Sequence, residues 1–331
     1  MQEQEALFKI IYQIVTLVLL ALTGFTAGRT RYLPESSGMV LSKVVVKLTA
    51  PILIVTTMAD YSFTPKMLAD GAVLYLLGIA FLLLAFFISV ITSKWVSLEA
   101  STANIYKMLS MFGNVMFLAY PLLLTLYGEK GIIYAVFFNL SNDTLLWTLG
   151  VYLANKHNTS RWRDNLKHLI NGNTVAFALG MVFILTNFKG YVENAHPFAR
   201  GIYDLLINTF GPLGKTTIYL SMVFIGLILS EVRFKSMSDI FKRYPLMLLS
   251  FFKLLLVPAA AILILKWAGS GIDIFIKEIL VLQLAMPCGT IVAAVAAQHD
   301  SDYRFATEGV FFSTILSAVT IPLIVFLLKF L

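Results

Sequence analysis

Of the 331 residues, 59% are hydrophobic and only 13% are charged. A soluble domain carries about 45–50% apolar and about 25% charged residues, so this composition describes an integral membrane protein. The net charge of +7 therefore belongs to loops beside a bilayer and does not indicate nucleic-acid binding. The single cysteine, Cys288, excludes an intramolecular disulfide and a cysteine-based metal site. The four histidines (His157, His168, His196 and His299) do not cluster, and no cofactor is expected.

The chain opens Met1-Gln-Glu-Gln-Glu5, without the basic region of a cleavable signal. Its first apolar stretch is expected to remain as a span. A spanning helix needs about 20 mainly apolar residues. On that basis the chain reads as ten spans with cores at 7–28, 38–59, 71–93, 103–127, 131–154, 172–188, 213–230, 245–267, 275–297 and 305–329. The half-apolar stretch from Pro197 to Pro212 fits an amphipathic interfacial piece or an ordered loop equally well. Lys and Arg are in excess on the side that receives Arg29, Arg31, Lys94, Lys107, Lys156, Arg161, Arg163, Lys167, Arg233, Lys235, Lys242, Arg243 and Arg304. By the positive-inside rule that side is cytoplasmic and both termini face outward.

Five spans per half make the second half enter from the opposite side, as in an inverted repeat. The expected fold is thus an all-α membrane protein: ten transmembrane helices as two inverted five-helix repeats, with helices four and nine broken. Residues 1–154 form the first repeat, 155–170 a basic cytoplasmic linker, and 171–331 the second repeat. The breaks are read from matched Ala-x-Pro sequences, Ala119 to Pro121 and Ala285 to Pro287. A proline there removes a backbone hydrogen bond where no bulk water can replace it. Freed carbonyls and N–H groups can then hold a ligand near the midplane. Gly113 and Gly289 allow close backbone approach, whereas Pro51, Pro258 and Pro322 read as simple kinks.

Asn114 lies seven residues before Pro121, which on a helix is the same face two turns earlier. Its amide can donate to a carboxylate or bond another helix. The ionisable residues inside the spans are Asp143, Lys43, Lys47, Lys253 and Glu308. Charge at that depth costs at least about 2.5–3.5 kcal/mol, so such groups face a cavity or pair. Asp143 and Lys47 read as the deepest, with a function or a mutual ion pair both open. Lys43 and Glu308 read as snorkelling to an interface. No Walker motif, His-Glu-x-x-His zinc motif or evident Ser-His-Asp arrangement is present, so the chain is not expected to be an enzyme.

With these residues in view, the chain resembles the auxin efflux carrier family, which groups plant auxin exporters with bacterial malate- and malonate-type permeases. The resemblance spans essentially the whole chain. It is carried by Gly113-Asn114 through Pro121 to Tyr127-Gly-Glu129, by Asn142-Asp143, and by Leu169-Ile-Asn-Gly-Asn-Thr174, which is similar to the family's Asn-Pro-Asn-Thr. It continues through Ser221 to Leu229 and Gln283 to Pro287. It implies that broken helices four and nine cross at the substrate site, a scaffold of helices one, two, six and seven, a transport domain of the rest, an elevator-like movement and a homodimer through the scaffold. It also implies that Asn114 and Asn173 bind a substrate carboxylate. Two departures stand out: the linker between the halves is short, as in a bacterial member, and Gly172 replaces the family proline.

The expected function is a secondary transporter or facilitator of small organic anions, malate-like or auxin-like carboxylates, in the plasma (inner) membrane. Its partners are the substrate, the lipid bilayer, H+ or Na+ as coupling ion, and a second copy of the chain. Substrate binding is assigned to Asn114, Pro121, Asn173, Pro287, Gly289 and Lys47, and a coupling or proton switch to Asp143. Two alternatives are a cation-coupled antiporter or symporter on a similar crossed-helix fold, and a non-transporting membrane receptor.

Overall fold

A computed structural model describes residues 2–34, 36–61, 64–155, 170–231, 243–267 and 271–331. The basic linker 155–170 lies outside these residues except for its two ends, as do Arg233, Lys235 and Lys242. The described residues are helical, with no strand beyond one isolated bridge. In chain order they are α1 (Gln2–Arg29), α2 (Ser37–Ala59), α3 (Pro65–Trp95), α4 (Ala100–Met111), α5 (Ala119–Asn155) and α6 (Gly172–Leu185). Then come α7 (Phe188–Glu193), α8 (Pro197–Glu231), α9 (Tyr244–Trp267), α10 (Ile274–Leu284), α11 (Thr290–Gln298) and α12 (Tyr303–Leu327).

Six of these helices are long and apolar enough to cross a membrane: α2, α3, α5, α8, α9 and α12. Shorter apolar stretches are Val15–Arg29 and Gly172–Leu185. The segment from Pro197 to Pro212 is neither a loop nor a separate interfacial piece. It is the first half of α8, which continues through Pro212 to Glu231. The expected spans 103–127 and 131–154 divide differently: α4 stops at Met111, and α5 resumes at Ala119 and bends at Gly128. Gly128 has φ 66° and ψ −156°, a region open essentially to glycine alone.

Two prolines mark local widening. In α2 a π turn covers Val45–Thr49 just before Pro51, and in α9 another covers Phe252–Leu256 just before Pro258. Proline lacks an N–H and its ring crowds the carbonyl four residues earlier, which a wider turn relieves.

The chain packs as two compact units. The first contains α1, α2, the start of α3 to Ala69, the segment Tyr120–Val136, and α6 to α8. Inside it, α1 and α8 meet through small residues. A side chain at Gly24 would collide with the Val223 carbonyl, one at Gly226 with the Ala21 carbonyl, and one at Gly28 with Ser230. Without water to expel, close backbone approach of this kind drives helix association in a bilayer. Thr217 donates to Thr49 at 2.8 Å and links α8 to α2 in the buried interior. Lys189 reaches the Asp60 carboxylate at 3.0 Å and the Asp60 carbonyl at 2.6 Å, placing a cation on the carboxyl end of α2.

The second unit contains α3 from Asp70, α4, the stretch to Ala119, α5 from Phe137, and α9 to α12. Here α3 packs on α5 through Gly71 over the Phe137 ring and Gly78 against Ser141. Ser141 in turn donates to the Tyr75 carbonyl at 2.8 Å. Polar pairs fix the other helices: Thr102 to Asp302 at 2.7 Å, Ser101 to Ser301 at 3.0 Å, and Arg243 to Glu308 at 2.7 Å. Glu308 was expected to snorkel. Instead its carboxylate is mostly buried and paired, which avoids the cost of an isolated charge.

Candidate functional site

The two interruptions meet inside the second unit. Gly113, between α4 and α5, forms an antiparallel bridge with Cys288, between α10 and α11. The Asn114 N–H donates to the Pro287 carbonyl at 2.7 Å, and the Gly289 N–H donates to the Phe112 carbonyl at 2.9 Å. The Cys288 N–H donates to the hydroxyl of Ser313 on α12, at 3.0 Å. Much of the backbone freed by the breaks is therefore consumed by the crossing itself, as a buried N–H or C=O demands. The space is tight. A Cβ on Gly289 would lie 2.7 Å from the Gly113 carbonyl oxygen, and one on Gly113 would lie 3.3 Å from Met286 Cβ.

The two prolines do different work. Pro287 lies inside its break, whereas Pro121 occupies the first turn of α5, where a missing N–H would be unsatisfied in any case. Asn114 is buried in the break itself and is not on a helix, so it does not share a helical face with Pro121. Its side-chain oxygen accepts the Phe117 N–H at 3.2 Å, and its main-chain carbonyl accepts from Leu118 and Ala119. With Oδ1 engaged, the amide presents its NH2 group, a pure donor.

Lys253 completes this centre. It is 1% exposed, and its ammonium donates to the Met111 carbonyl, the last of α4, at 2.9 Å. A Cβ on Gly113 would be 3.6 Å from Lys253 Nζ. The sequence shows Lys253 only as one more ionisable residue in a span, and ranks Asp143 and Lys47 above it. The signal that could have raised it is its place five residues before Pro258, where a π turn forms. No Asp or Glu occurs in residues 111–121 or 282–291. Among the described residues, no group of three or more His, Cys, Asp or Glu could hold a metal ion.

The remaining expected site residues lie elsewhere. Asp143 is half-buried on α5 in the second unit. Asn173 and Lys47 belong to the first unit. In Asn171-Gly-Asn-Thr174, Asn171 caps α6. Its side chain accepts the N–H groups of Asn173 and Thr174 at 2.9 and 3.1 Å, and Thr174 Oγ1 accepts the Asn171 N–H at 2.8 Å. This reciprocal capping box is legible as Asn-x-x-Thr before an apolar run, yet sequence reasoning passed over it. It leaves the Asn173 side-chain oxygen buried without a hydrogen-bond partner among the described residues. Lys47 is exposed, in the π turn of α2.

A family described as membrane transport protein matches residues 9–163 and 160–325. The chain is 21% identical over 311 residues to an uncharacterized transporter of Methanocaldococcus jannaschii, covering 94% of this chain and 96% of that protein. It is 24% identical over 315 residues to an uncharacterized transporter of Methanothermobacter thermautotrophicus, covering 94% and 95%. The chain belongs to this membrane transport protein family, the auxin efflux carrier family of the sequence resemblance.

Proposed function

We propose that the protein is a secondary transporter or facilitator of small organic anions, carboxylates of the malate-like or auxin-like class. One observation carries this reading: the crossing presents donors and a cation, and no acid. The Asn114 amide and the Lys253 ammonium both stand at the end of α4, and no carboxylate lies in either interruption. Such a centre is complementary to an anion. A mobile coupling cation would need helix-end carbonyls, and the Met111 carbonyl already holds the Lys253 ammonium. This favours anion transport over a sodium-coupled antiporter or symporter.

In this reading Asn114, Asn173 and the backbone near Pro121, Pro287 and Gly289 hold the carboxylate. Lys47 adds charge complementarity, and Asp143 serves as a proton switch. The ten spans form two inverted five-helix repeats, 1–154 and 171–331, joined by the linker 155–170, in the plasma membrane with both termini outside. The division of packing supports an elevator movement. It separates α1, α2 and α6 to α8 from α4, α9 to α12 and most of α3 and α5. The first group would be the static, dimerising body. Two resolved breaks held on each other favour transport over a receptor role, because a receptor has no need of a crossing at this depth.

The test is uptake of radiolabelled malate into liposomes by Asn114→Ala. The variant is expected to fold, stay monodisperse and lose uptake. Uptake at the parent rate by that variant would overturn the assignment.

A further inference from the structure

Lys43 and Lys47 stand one turn apart on α2, and both are exposed. The same face exposes Met39, Val40 and Leu48, at 65%, 59% and 50%. The opposite face is packed: Val45, Thr49, Leu53 and Ile54 are buried, and Thr49 is bonded to Thr217. Among the described residues neither lysine has a hydrogen bond or an ion pair.

Three surroundings are conceivable for this face: lipid, a second copy of the chain, or water. Depth disfavours lipid. Lys47 is near the middle of a 23-residue span. At 1.5 Å per residue that leaves about 15 Å of helix to the nearer end, half of a hydrocarbon core of about 30 Å. A lysine stem is far shorter than that and cannot carry its ammonium to the interface. A second copy is disfavoured by charge, because a two-fold contact here would set like charges against each other. Water remains. An intramembrane cation of this kind marks an ion or substrate path.

We infer that Lys43 and Lys47 form a cationic ladder on the wall of the aqueous path and select substrates by charge number. The inference rests on the anion-transport reading and deepens it. A dianion gains about twice the Coulomb attraction of a monoanion from this pair of cations. Lys43, closer to the end of the span, meets the dianion first, and Lys47 receives it at depth. Lys47 lies within the π turn at Val45–Thr49, and Thr49 of the same turn is packed inward.

The test compares malate, a dianion, with lactate, a monoanion, in proteoliposomes of the full chain carrying Lys47→Gln or Lys43→Gln. Loss of one charged contact is expected to raise the malate KM about tenfold in Lys47→Gln and less in Lys43→Gln, and to raise the lactate KM by only about threefold in Lys47→Gln. In parallel, Lys47→Cys is treated with a charged, water-soluble thiol reagent. The native Cys288 is fully buried and gives little background. Labelling that malate slows supports the ladder. Labelling by an apolar maleimide alone, or equal effects of Lys47→Gln on malate and lactate, would overturn it. Loss of uptake in Asn114→Ala alongside an unaffected Lys47→Gln would sink the ladder alone and leave the anion-transport reading standing.

Discussion

Lys253 and Gly289 illustrate how single residues build the crossing. A buried ammonium on one carbonyl, with no carboxylate beside it, is a poor stabiliser, because desolvating the charge outweighs one hydrogen bond. Lys253→Met keeps most of the volume and removes the charge. It is expected to leave the melting temperature unchanged or raised while abolishing malate uptake. Uptake retained with a lowered melting temperature would make Lys253 a structural residue. Gly289 has the opposite character. Its backbone angles suit any residue, but a methyl group would press on the Gly113 carbonyl oxygen. Gly289→Ala should destabilise the crossing by about 1–3 kcal/mol, read as a lower melting temperature in detergent. Asn114, Gly113, Pro287 and Gly289 were all legible in the sequence as an anomaly inside apolar runs. The partner of each was not, because the pairing joins residues 113 and 288, which no local pattern connects.

The helices were legible where apolar length decides them and less so where backbone geometry does. Residues 38–59, 71–93 and 245–267 were placed close to α2, α3 and α9. The first half of α8 was read as an interfacial piece or a loop, because Pro197 to Pro212 is only half apolar. The helix instead continues through Gly201, Gly211 and Pro212 into the apolar second half. The contact of α1 with α8 depends on Gly24, Gly28, Gly226 and Ser230, small residues four apart on each helix. Gly226→Leu should separate these helices and lower the melting temperature by several degrees, whereas a leucine at Gly201, where the space is open, should not. The cap of α6 gives a milder case: Asn171→Ala should cost about 1 kcal/mol, measured by thermal unfolding.

The movement proposed for the whole molecule has a consequence at the bend of α5. Tyr120–Val136 packs with the first unit, while the helix from Phe137 onward packs with the second. No break falls between Val136 and Phe137, since the nearest non-helical residue is Gly128. A rigid helix cannot leave its tip behind when the rest moves. The tip is held by Glu129, 3.0 Å from Lys215 of α8. In an elevator movement this pair must open. A disulfide between Glu129→Cys and Lys215→Cys should stop uptake, and reduction should restore it. Undiminished uptake by the cross-linked protein would refute the movement. The pair itself is half-exposed, so Glu129→Gln should change stability by less than about 1 kcal/mol.

The sequence by itself determined that the chain is a helical membrane protein, that it is interrupted twice, and that neither interruption carries an acid. These follow from composition and local pattern, because a bilayer admits few ways to satisfy a backbone. The tertiary structure decided the rest. It placed the two interruptions against each other, and it buried Lys253 while exposing Lys47 in a similar π turn before a proline. It also divided the helices between two units that interleave along the chain. The physical reason is that burial and pairing depend on neighbours brought together from distant parts of the chain. Two lysines in similar local sequence can therefore meet opposite surroundings.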